Sequence, residues 1–267
     1  MSPYRATPRT PDVLVCAGLD PSGGAGLIAD TRVIAQLGAR PCGIVTALTV
    51  QNTTGVVDCQ ALDPDLLGHQ LAFLMTDIEM KAVKIGMIGS TAIAKAIANA
   101  LHLTAAPVVW DPVLYPSRGD VSLVDSMFGE AIAALRPHLA LITPNARELA
   151  YLTNQPVTTH VTALAAGRAL AARLDTAVLV KGGHLDEQSD EALDTLIQAG
   201  GAAESFAGPR IRDGHHIHGT GCALSAAIAA LLAQGRDLVD ACRAAKAFVA
   251  ERIAAPMRPG RGAPAVL

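Results

Sequence analysis

The feature that most constrains this chain is an alternation that runs through most of its length. Short apolar runs at residues 13–17, 43–50, 82–85, 107–110, 139–143 and 177–180 each end in glycine, proline or a polar group. Between them lie stretches whose apolar residues recur at helical spacing. Leu27, Ile34 and Leu37 stop at Gly38; Leu67, Leu71 and Leu74 follow the cap and first-turn pair Asp63-Pro64; Ile93, Ile97 and Leu101 follow Ser90; Val124, Phe128, Ala131 and Leu135 form another stripe; residues 161–174 form the next. Strands apolar on both faces and separated by helices belong in a parallel sheet covered on both sides. An aromatic content of 3% is a poor match for a β-sandwich.

The rhythm breaks at residues 194–213. There 195–197 and 204–206, separated by Gly200-Gly201, read as an antiparallel hairpin, and 219–234 and 238–254 close the chain as helices. The expected fold class is therefore α/β, a mainly parallel sheet with helices on both faces in a single domain over residues 12–255. The proline-bearing residues 1–11 and the Pro/Gly/Arg-rich residues 256–267 are expected to be flexible ends.

Twenty-one basic against 24 acidic side chains, spread along the chain, create no field to gather nucleic acid or an anionic membrane. A small-molecule ligand is the expected partner. The apolar run at 13–19 is too short to span a bilayer and lacks a signal-peptide cleavage region, so a cytoplasmic location is expected. The five cysteines are odd in number and contain no Cys-x-x-Cys pair, which argues for packing residues over disulfides or a zinc site.

In an open parallel sheet the strand-to-helix loops gather beyond the carboxyl ends of the strands. The polar residues at those ends are Asp20 and Asp30, Gln51-Asn52, the 84–87 segment, Asp111, Asn145 with Glu148, and Lys181, which spacing assigns to one composite site. The sharpest local feature is His218-Gly219-Thr220-Gly221-Cys222, leading into an apolar helix. Small residues admit a ligand to the backbone, and the first amides of a helix lack internal acceptors, so this loop is a candidate anion hole. An ordinary glycine-containing turn is the competing reading. No Gly-Lys-Ser/Thr occurs, and the Gly23 to Gly26 run lacks dinucleotide-binding spacing. His215, His216 and His218 have no acidic partner nearby in the sequence and are not read as a metal site.

Six motifs in order carry a more specific signal: Ala17-Gly18-x-Asp20-x-Ser22-Gly23-Gly24-Ala25-Gly26-x-x-Ala29-Asp30, Val50-Gln51-Asn52-Thr53, Lys84-Ile85-Gly86-Met87, Thr143-Pro144-Asn145-x-x-Glu148, Lys181-Gly182-Gly183-His184 and His218-Gly219-Thr220-Gly221-Cys222. Over residues 13 to about 250 they resemble the hydroxymethylpyrimidine/phosphomethylpyrimidine kinases of thiamine biosynthesis, in the ribokinase-like superfamily. The resemblance implies a homodimer that uses ATP and Mg²⁺ to phosphorylate 4-amino-5-hydroxymethyl-2-methylpyrimidine and then its monophosphate. It implies pyrimidine contacts from Gly18, Asp30, Gln51, Met87 and Val113, with Cys222 beside the hydroxymethyl group. Asn145 and Glu148 resemble the superfamily's Asn-x-x-Glu element, in which the acid places Mg²⁺. Asp111 is a second metal candidate with a structural strand-end role as the alternative. Lys181 resembles a phosphate-contacting lysine, with Thr220 on the same nucleotide. Gly219, Thr220, Gly221, Cys222 and Lys181 are the implied catalytic set.

Two chemical expectations follow. Asp30 and Gln51 suit an aminopyrimidine edge, which offers a donor and ring acceptors. The helix start at Cys222 is expected to lower the thiol pKa and supply thiolate near pH 7, where sugar kinases of the superfamily carry an aspartate base. The chain departs from the family at Ile28 and across Leu114-Tyr115-Pro116-Ser117-Arg118-Gly119-Asp120, both near the implied substrate.

Overall fold

The computed structural model describes residues 10–115, 127–183, 185, 189–211 and 214–266. Val124, Pro116 to Asp120 and His184 lie outside them, as does residue 267. The order of elements is β1 (Asp12–Leu19), α1 (Gly26–Gln36), β2 (Arg40–Asn52), β3 (Gly55–Ala61), α2 (Pro64–Asp77), β4 (Met80–Ile85), α3 (Thr91–Leu101), β5 (Val108–Trp110), α4 (Phe128–Leu135), β6 (Leu139–Ile142), α5 (Ala146–Thr153), α6 (His160–Leu174), β7 (Ala177–Val180), β8 (Glu191–Ile197), β9 (Ala203–Pro209), α7 (Thr220–Ala233) and α8 (Leu238–Ala254).

Local chemistry sets the boundaries. The Asp63 carboxylate accepts from Leu66 N at 2.8 Å and starts α2, and Ser90 Oγ accepts from Ile93 N at 3.3 Å to start α3. At α5 the Asn145 side chain accepts from Glu148 N (2.9 Å) while the Glu148 carboxylate accepts from Asn145 N (2.8 Å), a reciprocal cap that begins a helix the apolar spacing did not suggest.

All nine strands form one sheet in the order β3-β2-β1-β4-β5-β6-β7-β8-β9. The strands from β2 to β7 are parallel, β3 is antiparallel at one edge, and the β8–β9 hairpin is antiparallel at the other. The hairpin predicted across Gly200-Gly201 is present and longer than expected. The polar cluster after residue 50, expected to end the strand, instead carries β2 on to Asn52 and turns through Thr53-Thr54 into β3.

One sheet face packs Leu67, Ile93, Phe128, Leu149 and Leu170 from the helices α2 to α6; the other packs Ile34, Ile228 and Cys242 from α1, α7 and α8. Helix α7 is buried over most of its length, and its alanines let it lie close against the sheet. The strand order reverses between β1 and β4, so the loops after these strands diverge and leave a crevice at their carboxyl ends.

The expectation of a loose end from Pro256 is corrected. Ala263, Ala265 and Val266 are buried. Ala263 N donates to Thr53 O (2.8 Å) and His218 N donates to Pro264 O (2.8 Å), so the segment crosses the mouth of the crevice as a strap. Its alanines and valine supply apolar area and its backbone finds partners, which outweighs the proline and glycine content.

Candidate active site

The crevice is a cavity of about 1290 Å³ bordered by the ends of β1, β2, β4, β5 and β7 and by the start of α7. Gly219 precedes α7 with φ of +84°, and a Cβ there would lie 2.0 Å from Gly24 O, so backbone strain and a clash both demand glycine. At Gly221 a Cβ would come within 3.1 Å of Lys181 Nζ and 3.5 Å of Asp111 Oδ2. Bare backbone at this turn therefore brings the amides of Thr220, Gly221 and Cys222, which have no acceptor inside the helix, beside the half-buried Lys181 ammonium group.

Lys181 follows β7, and its N–H donates to Pro144 O at 3.0 Å, which places it next to the cap of α5. Its Nζ is 2.7 Å from Asp111 Oδ1 and 3.7 Å from Glu148 Oε2. Thr143 Oγ1 donates to the same Asp111 oxygen at 3.2 Å. Burial works against the Lys181 charge, but Asp111 and Glu148 outweigh it and hold its pKa above the ordinary lysine range. Burial raises the Glu148 carboxyl to about 7 in spite of Lys181, with Asp111 adding to the rise. Asp111, Asn145, Glu148, Lys181, Thr220 and Gly221 thus converge as the sequence suggested.

The other wall holds Gly18, Gln51, Met87 and Val113. The Met87 methyl lies over Gly18, where a Cβ would be 2.2 Å from Cε, and Thr46 Oγ1 donates to Met87 O at 2.5 Å. Gln51 borders the cavity with its amide between Thr49 and His218.

Asp30 does not join them. Its side chain has no exposure and ends 2.5 Å from Lys84 Nζ, itself unexposed, so the direct pyrimidine contact expected of Asp30 is replaced by a buried ion pair. Burial raises the Asp30 pKa to about 6 even though Lys84 pulls it down. Lys84 borders the cavity from β4 and brings that pair's charge to it. The signal was present in the sequence as a lysine between Val83 and Ile85 in the apolar run 82–85, and an aspartate on the apolar face of α1.

The expectation for Cys222 is also corrected. Its half-buried thiol has a pKa pushed up to about 11, chiefly by burial. Lys84 and the Gly26 N–H act in the opposite direction and are outweighed, with Asp30 and Asp111 adding repulsion. The helix start does not make a thiolate near pH 7.

His218 was set aside in the sequence for want of an acidic partner. In space it has one, with Nε2 3.0 Å from Asp20 Oδ2. Asp20 in turn closes the first glycine loop, accepting from Ser22 N (2.8 Å) and Ala25 N (3.0 Å). No sequence spacing links residues so far apart in the chain.

Among the described residues no group of three or more His, Cys, Asp or Glu side chains forms a metal cage. Two carboxylates, Asp111 and Glu148, do stand together at the amide-lined end of the cavity. A pair of hard oxygen donors fits Mg²⁺, which takes few protein ligands and keeps waters and substrate phosphates. No helix among the described residues is long and apolar enough to cross a membrane.

The chain is similar to known vitamin kinases over most of its length. Hydroxymethylpyrimidine/phosphomethylpyrimidine kinase of Escherichia coli (strain K12) is 39% identical over 245 residues, covering 91% of each chain. The structure of phosphomethylpyrimidine kinase from Clostridium difficile 630 matches with a TM-score of 0.77 and 30% identity over 92% of this chain and 100% of that one. The pyridoxal kinase from Staphylococcus aureus in complex with AMP-PCP matches with a TM-score of 0.86 and 26% identity over 97% of this chain and 93% of that one. The phosphomethylpyrimidine kinase family model matches residues 20–266, a span that holds the glycine loops, the Lys181 cluster and most of the strap. With nearly the whole chain matched and the ribokinase-like sheet in place beneath the cavity, the chain belongs to the phosphomethylpyrimidine kinase family.

Proposed function

We propose that the protein transfers the γ-phosphoryl group of ATP to the hydroxyl of 4-amino-5-hydroxymethyl-2-methylpyrimidine, and in a second round to the phosphate of the product, for thiamine biosynthesis. The observation that carries this reading is the two-ended cavity. A half-buried ammonium and helix amides face one end, and an amide, a thioether and an apolar side chain face the other.

At the first end Lys181 and the amides of Thr220, Gly221 and Cys222 hold the charge that spreads over the transferred group. Glu148 and Asp111 would hold Mg²⁺, whose charge neutralises the phosphates and leaving ADP. At the second end Gln51 reads the aminopyrimidine edge while Met87 and Val113 cover the ring and Gly18 admits it to the backbone. The hydroxyl oxygen forms the new bond to the γ-phosphorus as the bond to the bridging oxygen breaks, and its proton passes to solvent. Cys222 keeps its own proton at neutral pH and places the hydroxymethyl group, so positioning supplies the rate.

A homodimer fits the exposed apolar residues Leu48, Val50 and Val57 on the β2–β3 hairpin, and five free thiols fit a reducing cytoplasm. The fold shared with a pyridoxal kinase favours a second reading, a vitamin kinase for pyridoxal. A pyrimidine-binding regulator without turnover is the reading from a different class.

ADP release measured with each precursor decides among them. Turnover with the pyrimidine is expected, together with its loss in Lys181→Met at retained pyrimidine binding and an altered Mg²⁺ requirement in Glu148→Gln. ADP release with pyridoxal alone overturns the substrate, and binding without ADP release overturns the kinase.

A further inference from the structure

The side chain of Gln51 has hydrogen-bonding neighbours on both sides, and their chemistry determines which way its amide faces. As placed, Gln51 Oε1 faces Thr49 Oγ1 at 3.1 Å and Gln51 Nε2 faces His218 Nε2 at 3.1 Å; the two ends of an amide have nearly the same shape, so the chemistry of the neighbours decides between this orientation and its reverse. Thr49 Oγ1 is also 2.8 Å from Leu19 O, a carbonyl that only accepts. The single hydroxyl hydrogen of Thr49 is therefore committed to Leu19, and toward Gln51 the oxygen presents lone pairs that need an amide N–H.

The same reasoning applies to the imidazole. His218 Nε2 is 3.0 Å from Asp20 Oδ2, and Asp20 already accepts from Ser22 N and Ala25 N as a carboxylate. Its environment holds the Asp20 pKa below the usual value, with burial opposing and bonds from His218 and Ser22 prevailing. A carboxylate only accepts, so Nε2 carries the hydrogen. A protonated Nε2 cannot accept from an amide nitrogen, so the group of Gln51 that faces it is the carbonyl oxygen. With Oε1 toward His218 and Nε2 of Gln51 toward Thr49, every neighbour has a partner; with the amide turned the other way, two donors face each other at one end and two acceptors at the other.

We propose that His218, held as the Nε2–H imidazole between Asp20 and Gln51, is a positioning residue that fixes which way round the Gln51 amide faces the pyrimidine end of the cavity. The proposal rests on the reading of Gln51 as the residue that meets the pyrimidine. In this orientation one carbonyl lone pair and one amide N–H remain on Gln51. They match the amino hydrogen and the adjacent ring nitrogen of an aminopyrimidine, donor to acceptor and acceptor to donor.

The backbone supports the same pairing from outside. His218 N donates to Pro264 O and Val266 N donates to His218 O at 3.3 Å, while Gly262 N donates to Thr53 Oγ1 at 3.1 Å and Ala263 N to Thr53 O. One strap thus holds both the loop that carries His218 and the turn that follows Gln51. His218 also stands one residue before Gly219, so the amide that reads the ring and the turn that meets phosphate share a mount.

The test starts with the full-length, ligand-free protein. Nitrogen-15 NMR of the imidazole reads the state of His218 directly, with His218→Gln identifying its signals. A protonated Nε2 is expected, and a neutral ring with its hydrogen on Nδ1 overturns the proposal.

In steady-state assays His218→Leu should raise KM for the pyrimidine about tenfold, as the loss of one buried partner does, with a smaller change in kcat. His218→Gln, which returns an N–H near the Nε2 position, should restore most of it. In Gln51→Ala the further change His218→Leu should add nothing, because the amide it orients is gone; additive losses overturn the proposal. A wild-type KM in Gln51→Ala alone overturns the pocket reading instead. The two failures are distinguishable because the tautomer is read without substrate.

Discussion

Replacing Lys84 by methionine keeps the length of the side chain and leaves Asp30 facing a neutral neighbour in a place with no exposure. A buried carboxylate that loses its cation costs about 3–5 kcal/mol. The acid limits the cost by taking a proton. Its pKa stands at about 6 with Lys84 pulling it down, and without Lys84 burial carries it higher.

Holding Asp30 neutral at pH 7 then costs about 1.36 kcal/mol for each of the roughly three pH units above its unfolded pKa, about 4 kcal/mol in all. Because the folded pKa is raised, native stability from this group is complete below the unfolded pKa and is lost as pH rises. The wild type already carries about 3 of those roughly 4 kcal/mol, because its Asp30 pKa of about 6 is roughly two units above the unfolded value, so Lys84→Met should lose about 1 kcal/mol more at pH 7 than at pH 5, where Asp30 holds its proton in both proteins. Near neutrality the melting temperature should fall by on the order of 3 °C relative to the effect at pH 5.

Urea denaturation followed by Trp110 fluorescence gives both values, since this tryptophan is fully buried beside Phe128. Lys84→Met combined with Asp30→Leu should recover most of the loss, because an apolar replacement of a buried pair is close to neutral. A loss that does not grow between pH 5 and pH 7, or that is larger at pH 5, refutes the reasoning.

Iodoacetamide should modify Cys222 slowly at pH 7 and faster as pH climbs toward its pKa of about 11, and Cys222→Ala should keep most of kcat because the loop amides remain; a fast reaction at pH 7 would contradict the buried-thiol reading. Burial raises the Glu148 pKa from 4.5 to about 7, so its share of stability is present below pH 4.5 and is lost as pH rises through 7. In magnesium-free buffer, Glu148→Gln should flatten that fall in the urea midpoint. Gly219→Ala should cost about 1–3 kcal/mol from its left-handed backbone alone, and the clash with Gly24 O should abolish most turnover. Full activity in this variant would mean the loop is not held as described.

The alternation of apolar runs carried the sheet and most helices, because a buried parallel strand and a helix on its face each leave a distinct period. Helix α5 escaped because it is short and its start is marked by a reciprocal cap, which a six-residue motif can show only if read as local chemistry. Strand β3 escaped because Asn52 and Thr54 read as a boundary when they are a turn, with Thr54 N and Oγ1 both donating to Asn52 Oδ1. At the site, the strand-end rule found Asp111, Lys181, Asn145 and Glu148. It misplaced Asp30, since position along the chain does not say whether a carboxylate ends in a cavity or beneath it. The Cys222 thiol was misjudged for a related reason: a helix start favours thiolate, but burial and two nearby carboxylates outweigh it.

The strap from Met257 to Val266 has a bearing on biosynthesis. Ala265 comes against Gly24 and pairs with His218, so the first loop of the chain waits for residues made much later before its surroundings are complete. At roughly 5–20 residues per second, the ribosome needs on the order of 10–50 s to cover the distance between those two positions. During most of that time β1, β2 and β4 already have their partners, whereas Thr53 O still lacks the Ala263 N–H that it later accepts. A polypeptide stalled or clipped shortly before Gly262 therefore keeps its sheet pairings and lacks this wall of its pocket, which makes ligand capture by the nascent chain a reporter of strap arrival.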